Sequence, residues 1–282
     1  MKRRIIDAQG EYADGFLCRR ELLARLAGLA GGTAACALLP QGRAGADIVP
    51  KDDPRLHTAW VEYPGETGPI RAYLARPRDE EKRPSVIVIH ENKGLQPHIQ
   101  DVTRRMAVEG FLTLAPDALS PLGGTPEDAN KARSLIGKLD TEETKKNFVA
   151  AVQYLKTHPL STGKVGCTGF CWGGGLTNQV AVRSPDLVAA VPYYGSQPAA
   201  EDVPRIEASL LLHYAELDAR INRGIPAFEA ALKKAEIEYT IHMYEGAQHA
   251  FNNDTNEARY HKEAAELAWK RTIAFFKQKL RT

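Results

Sequence analysis

From Thr58 onward the sequence alternates between short apolar runs and longer segments of helical period, and no other feature constrains the fold as strongly. Such a pattern folds as a mostly parallel β-sheet flanked by helices on both faces, because parallel neighbours need a long crossover that is normally helical. About eight runs qualify as strands: Thr58 to Tyr63, Ile70 to Arg76, Val86 to His90, Phe111 to Ala115, Lys164 to Thr168, Ala189 to Tyr194, Leu210 to Tyr214 and Tyr239 to Tyr244. Pro64-Gly65-Glu66-Thr67-Gly68-Pro69 separates the first two and suits a hairpin loop. The later runs are rich in β-branched and apolar residues without polar alternation, which fits central strands buried on both faces. Helices are predicted near Ile99 to Glu109, Glu142 to Thr157, Gly173 to Arg183, Ile225 to Ala235 and Glu257 to Lys279. Ser120 to Ala129, rich in Pro and Gly, reads as an exposed loop beside a pocket at the carboxyl end of a central strand.

The first 46 residues do not share this pattern. Arg19-Arg20 precedes Leu22-Leu23, a stretch of small and apolar residues to Leu39, and then Ala44-Gly45-Ala46, which is the order of charge, apolar segment and cleavage site in an export signal. The paired arginines resemble a twin-arginine address, so the expected product is a periplasmic or secreted protein cut after Ala46, with residues 47–282 as one domain. A cytoplasmic enzyme with an amphipathic leader is the alternative. The body of the chain has no run of about 20 apolar residues, so no stable membrane insertion is expected after processing. A net charge of +2, spread among mixed charges, leaves no basic stripe for nucleic acid. Of the four cysteines, Cys167 and Cys171 survive the expected cleavage.

Chemistry concentrates at Gly169-Phe170-Cys171-Trp172-Gly173, between an apolar strand and a helical segment. This is the G-x-nucleophile-x-G elbow with cysteine in the nucleophile position. A strand that turns sharply into a helix leaves no room for a Cβ at the flanking positions, and the turn lifts the thiol to a helix N-terminus, where negative charge is favoured. In this arrangement the acid follows a later strand and the histidine follows the last one. Leu210 to Tyr214 runs into Asp218, and Tyr239 to Tyr244 runs into His249, so both candidates lie at strand carboxyl ends with the elbow. Glu216 is a rival acid, and Asp218 also fits a helix or loop cap. His213 and His242, inside strand runs, read as packed or edge histidines.

His90-Glu91-Asn92-Lys93-Gly94 follows the Val86 run, where one oxyanion donor is expected. The backbone N–H groups of Asn92 and Trp172 are the candidates. His90-Glu91 opens like a zinc motif, but position 94 is glycine and not the second histidine, so no metal and no cofactor is expected.

Glu91 and Gly94, Gly169 to Gly174, Asp218, and Gly246 to Phe251 together resemble the dienelactone hydrolase family from about Thr58 to the C-terminus. The resemblance implies an α/β-hydrolase fold and a Cys171-His249-Asp218 triad that cleaves a small-molecule ester or lactone through an acyl-enzyme. It also implies that Glu91 meets the resting thiol until substrate redirects it. The family holds its substrate carboxylate with two arginines, but the corresponding segments here read Asp117-Ala118-Leu119-Ser120 and His249-Ala-Phe-Asn-Asn253. A general carboxylesterase or thioesterase for neutral substrates therefore stays open. So does a non-catalytic exported binding protein stapled by a Cys167–Cys171 disulfide.

Overall fold

The computed structural model describes residues 47–281, so the predicted export signal lies outside the described residues. The strands are β1 (Leu56–Gly65), β2 (Gly68–Pro77), β3 (Arg83–Ile89), β4 (Leu112–Pro116), β5 (Ser161–Phe170), β6 (Leu187–Tyr193), β7 (Ser209–Ala215) and β8 (Tyr239–Tyr244). They form one eight-stranded sheet in the order β1-β2-β4-β3-β5-β6-β7-β8. β1 and β2 are antiparallel, β2 runs antiparallel to β4, and every later pairing is parallel. The predicted hairpin loop is tighter than its sequence implied, because Gly65 pairs with Gly68 and leaves two residues in the turn.

The helices are α1 (Pro97–Val108), α2 (Ala129–Ile136), α3 (Thr141–Thr157), α4 (Trp172–Arg183), α5 (Ala219–Asn222), α6 (Ile225–Lys234) and α7 (Lys262–Lys279). Side chains on β3 alternate between two cores. Val86 and Val88 pack toward α1 and α7 with Met106 and Phe276, whereas Ile87 and Ile89 pack with Phe148 of α3 and Val180 of α4. Both sets are fully buried, which is why the strand reads as a continuous apolar run.

Three helices differ from expectation, of which the one-turn α5 was not predicted at all. α2 occupies the end of the predicted Ser120–Ala129 loop and the residues beyond it, started by Asp128, whose carboxylate accepts from Asn130 N at 2.8 Å and Lys131 N at 3.2 Å. α7 begins at Lys262 and not at Glu257, because Asn256 O first accepts from Arg259 N and Tyr260 N in a turn and His261 then caps the helix.

The amino-terminal strap is fastened to α1. Asp101 accepts from Ile48 N at 3.1 Å and Val49 N at 2.9 Å. The fully buried Arg104 donates from Nε to Val49 O at 2.7 Å and pairs with Asp47 at 3.0 Å.

The chain leaves β3 toward β4 on one side, then returns to β5 and proceeds through β6 to β8 on the other. The loops after β3 and β5 therefore diverge, and the crevice between them at the strand carboxyl ends is where open α/β sheets place their ligands.

Candidate active site

Cys171 sits on that crevice with φ 57° and ψ −113°, between the end of β5 and the first residue of α4. The turn is possible because the residues two positions to either side, Gly169 and Gly173, lack side chains. A Cβ on Gly169 would lie 2.3 Å from Gly173 O, and one on Gly173 would lie 2.4 Å from His90 O. Cys171 N donates to Tyr193 O at 3.1 Å, tying the elbow to β6. Of the four positive-φ non-glycine residues among those described, Cys171, Tyr194 and Ala250 gather here. Backbone strain concentrated in this way is typical of functional sites.

Asp218 and His249 arrive from the ends of β7 and β8. His249 Nδ1 meets Asp218 Oδ2 at 2.5 Å, with the two side chains 14% and 6% exposed. Asp218 also caps α5 through Ile221 N at 3.4 Å, so the carboxylate that meets His249 is at the same time a helix cap. Glu216 is exposed and accepts from Gly246 N at 2.8 Å, away from the imidazole. Burial opposes a charged His249, but the Asp218 carboxylate and the Cys171 thiol raise its pKa to about 10. Its other ring nitrogen, Nε2, is buried and has no hydrogen-bond partner.

Glu91 lies in the loop after β3, and its Oε2 accepts from Asn253 Nδ2 at 2.7 Å. This bond is formed in place of the thiol contact that the resemblance implied. Asn253 is locked in that orientation because its Oδ1 accepts from Thr255 N at 3.0 Å and Thr255 Oγ1 at 2.6 Å. Tyr194 has a fully buried hydroxyl with no hydrogen-bond partner, and its ring centroid is 5.0 Å from that of His249. Burial and the nearby Glu91 and Cys171 charges push the phenol pKa well up.

His90, noted in the sequence only as half of an absent zinc motif, is a fully buried bracket. Ala118 N donates to Nε2 at 3.1 Å, so the ring proton is on Nδ1, which donates to Glu91 O at 2.7 Å. The ring stacks on Trp172, with centroids 5.3 Å apart and planes 11° apart. Burial lowers the His90 pKa and favours the neutral ring, against the opposing pull of the Glu91 carbonyl and the Asp117 and Glu91 charges.

Asp117, in the loop after β4, turns its carboxylate inward to Leu119 N at 3.0 Å, Thr125 N at 2.8 Å and Thr125 Oγ1 at 2.7 Å. Arg220 and Arg223 are exposed, as solvated charges would be. Arg259 Nη1 donates to the His249 carbonyl at 3.3 Å, a contact not foreseen from ten residues away in the sequence. The sequence signal for Asn253 was its place four residues after His249, and there it was read only as a missing arginine.

Behind the site, His213 of β7 is fully buried, with Nδ1 2.9 Å from Tyr244 OH and Nε2 3.0 Å from Thr272 Oγ1. Thr272 also meets Tyr193 OH at 2.6 Å, and Arg271 donates to Tyr244 OH at 3.2 Å. Burial, reinforced by the nearby His242 and Arg271, drives the His213 pKa well below its ordinary value.

The disulfide reading does not hold. Cys167 and Cys171 are both free. They face opposite cores: Cys167 packs under α4, 3.8 Å from Thr177 Oγ1, while Cys171 packs with the α1 and α7 layer. Burial pushes the Cys167 thiol pKa up to about 12.

The model of the dienelactone hydrolase family matches residues 70–280. A protein of Saccharolobus solfataricus, provisionally named a carboxymethylenebutenolidase, is 32% identical over 256 residues, covering 77% of this chain and 97% of its own. Protein usf of Aquifex pyrophilus is 35% identical over 229 residues, covering 78% and 98%. A crystal structure from Klebsiella pneumoniae, provisionally named a dienelactone hydrolase, superposes with a TM-score of 0.70 at 29% identity, covering 79% of this chain and 99% of that one. The elbow on the sheet crevice and these matches agree: the chain belongs to the dienelactone hydrolase family and is a hydrolase acting on ester or lactone bonds.

Proposed function

We propose that the enzyme cleaves a carboxylic ester or lactone through an acyl-enzyme on Cys171, with His249 as base and Asp218 as its orienting acid. The carrying observation is the 2.5 Å contact between His249 Nδ1 and Asp218, which leaves Nε2 unpartnered beside the Cys171 thiol. His249 takes the Cys171 thiol proton as the sulfur attacks the carbonyl carbon, and the N–H groups of Asn92 and Trp172 hold the oxyanion. As the C–O bond breaks, the His249 imidazolium gives its proton to the leaving alkoxide. His249 then takes a proton from water, the hydroxide attacks the thioester, and the Cys171 sulfur leaves and recovers its proton from the imidazolium. The scheme calls for no cofactor.

Cys171→Ala is expected to abolish turnover of an aryl ester while the melting temperature is kept. Mass spectrometry of the quenched wild type should find the acyl group on the peptide that contains Cys171. Turnover surviving in the mutant would sink the scheme.

A second reading, for esters without a free carboxylate, is favoured by two side chains. Asp117 is used up on its own loop, and the residue that holds Glu91 is the neutral Asn253. A dienelactone compared with neutral aryl esters separates the two readings by kcat/KM.

For residues 1–46, we propose a twin-arginine export signal cut after Ala46, with residues 47–282 as the mature hydrolase. Its support is the order of charge, apolar stretch and small residues in the sequence. Cell fractionation of wild type and an Arg19→Lys, Arg20→Lys variant tests it; export of both forms would refute the assignment.

A further inference from the structure

We infer that His90 is a positioning residue for oxyanion stabilisation: its Nδ1–H clamps the Glu91 carbonyl and thereby aims and polarises the Asn92 N–H of the same peptide unit. The inference rests on the proposed function, in which Asn92 N–H is an oxyanion donor.

The argument begins with the peptide plane. Glu91 C=O and Asn92 N–H belong to one planar group, and no peptide bond among the described residues is cis. In a trans peptide the two point in opposite directions, so fixing the carbonyl fixes the direction of the N–H. Two donors fix it: His90 Nδ1 at 2.7 Å and Gly94 N at 3.2 Å. The second closes a tight turn over Asn92 and Lys93, with Gly94 at φ 75°. Donation into a carbonyl also polarises its peptide, which makes the N–H at the other end a stronger donor.

The ring itself has little freedom. Ala118 N–H occupies Nε2, so the loop after β4 dictates which nitrogen carries the proton. Trp172, whose amide is the second proposed oxyanion donor, covers the ring face. The Gly173 backbone presses on the His90 carbonyl so closely that a Cβ there would lie 2.4 Å away. One neutral imidazole thus joins the loops after β3 and β4 to the elbow: it bonds the carbonyl of the peptide unit that carries one proposed oxyanion donor and stacks on the residue that carries the other. A phenyl ring of similar shape keeps the stacking and loses both hydrogen bonds.

The experiment compares wild type, His90→Phe, His90→Gln and Cys171→Ala on a neutral aryl acetate, with iodoacetamide alkylation of Cys171 measured in parallel. His90→Phe is expected to lower kcat about 100-fold, the scale of one lost oxyanion donor, with KM changed less than about threefold. Alkylation should keep its wild-type rate, because the thiol and His249 are untouched. His90→Gln, with an amide that both donates and accepts, should recover most of the activity; it also serves as the variant of record if the phenylalanine protein does not fold. The inference is overturned if kcat is unchanged, if alkylation falls in step with kcat, or if the glutamine variant is as impaired as a folded His90→Phe. Failure of the triad scheme would look different, as turnover by Cys171→Ala.

Discussion

His249 is mostly buried at the crevice and His213 fully buried behind it, both served by β7 and β8, yet their ionisation is pushed in opposite directions. Burial alone works against charge on either ring. His249 overcomes it because Asp218 and Cys171 present groups that are or become negative, and its pKa is carried up to about 10. The ring nitrogens of His213 meet the hydroxyls of Tyr244 and Thr272, and the ring lies near His242 and the positive Arg271. The lesson is that partner charge, and not depth, separates an imidazolium built for proton transfer from an imidazole built into the core. The proposed catalytic pair lies at the crevice; the neutral ring lies behind it and holds β6, β7, β8 and α7 together.

The strongest way to break this comparison is to remove the charge from the front pair. Asp218→Asn should lower kcat by about 10⁴-fold and return the His249 titration toward the ordinary range, read by NMR of the ring protons. A His249 that still titrates near 10 in this variant would mean that Asp218 is not the cause.

A change to the rear ring should strike stability first. His213→Leu strands Tyr244 OH and Thr272 Oγ1 in the interior and should cost about 3 kcal/mol in urea unfolding. Residual activity per folded molecule should fall far less than in Asp218→Asn. Equal losses in kcat would dissolve the distinction between the two sites.

Acid sharpens the contrast further. Because the folded pKa of His213 is depressed, the unfolded chain takes up the proton first as pH falls below about 6.5. This ring therefore favours folding at neutral pH, and its share is lost progressively toward its folded pKa, at up to about 1.4 kcal/mol per pH unit. The slope of stability against pH from 6.5 downward should be shallower in His213→Leu than in wild type, and an identical slope would show that His213 is not the titrating group. The smallest effect belongs to Arg271→Met, which removes one nearby positive charge. It should raise the folded pKa of His213, so that the lower end of this acid slope moves to higher pH by a fraction of a unit while the onset near about 6.5, set by the unfolded chain, stays in place; a shift of the lower end in the other direction would contradict the charge argument.

Much of the framework was legible because it is local. Each central strand announced itself as an apolar run, and Gly169 to Gly173 marked the elbow with its two required gaps in side-chain volume. Asp218 and His249 followed from their places after β7 and β8, and the 2.5 Å contact between them agrees with that placement. What escaped was set by long-range contact. His90 is defined by Ala118, 28 residues away, and Asn253 by Glu91, 162 residues away, so neither role leaves a pattern in its own neighbourhood. α2 was missed because the Pro and Gly of the preceding loop masked the start that Asp128 supplies. The disulfide was open in the sequence because spacing alone does not reveal that the strand pleat and the elbow send Cys167 and Cys171 to opposite layers.

The clasp between the amino-terminal strap and α1 fixes how short this hydrolase can be made. Arg104 is wholly interior, and its charge is answered by Asp47, Asp101 and the Val49 carbonyl. Trimming to Asp47 leaves every one of those partners in place. Trimming five residues further removes two of the three and strands a guanidinium that cannot shed its proton. The useful boundary for a minimal enzyme therefore coincides with the proposed processing point, and the arginine that enforces it sits on the first helix of the domain it protects.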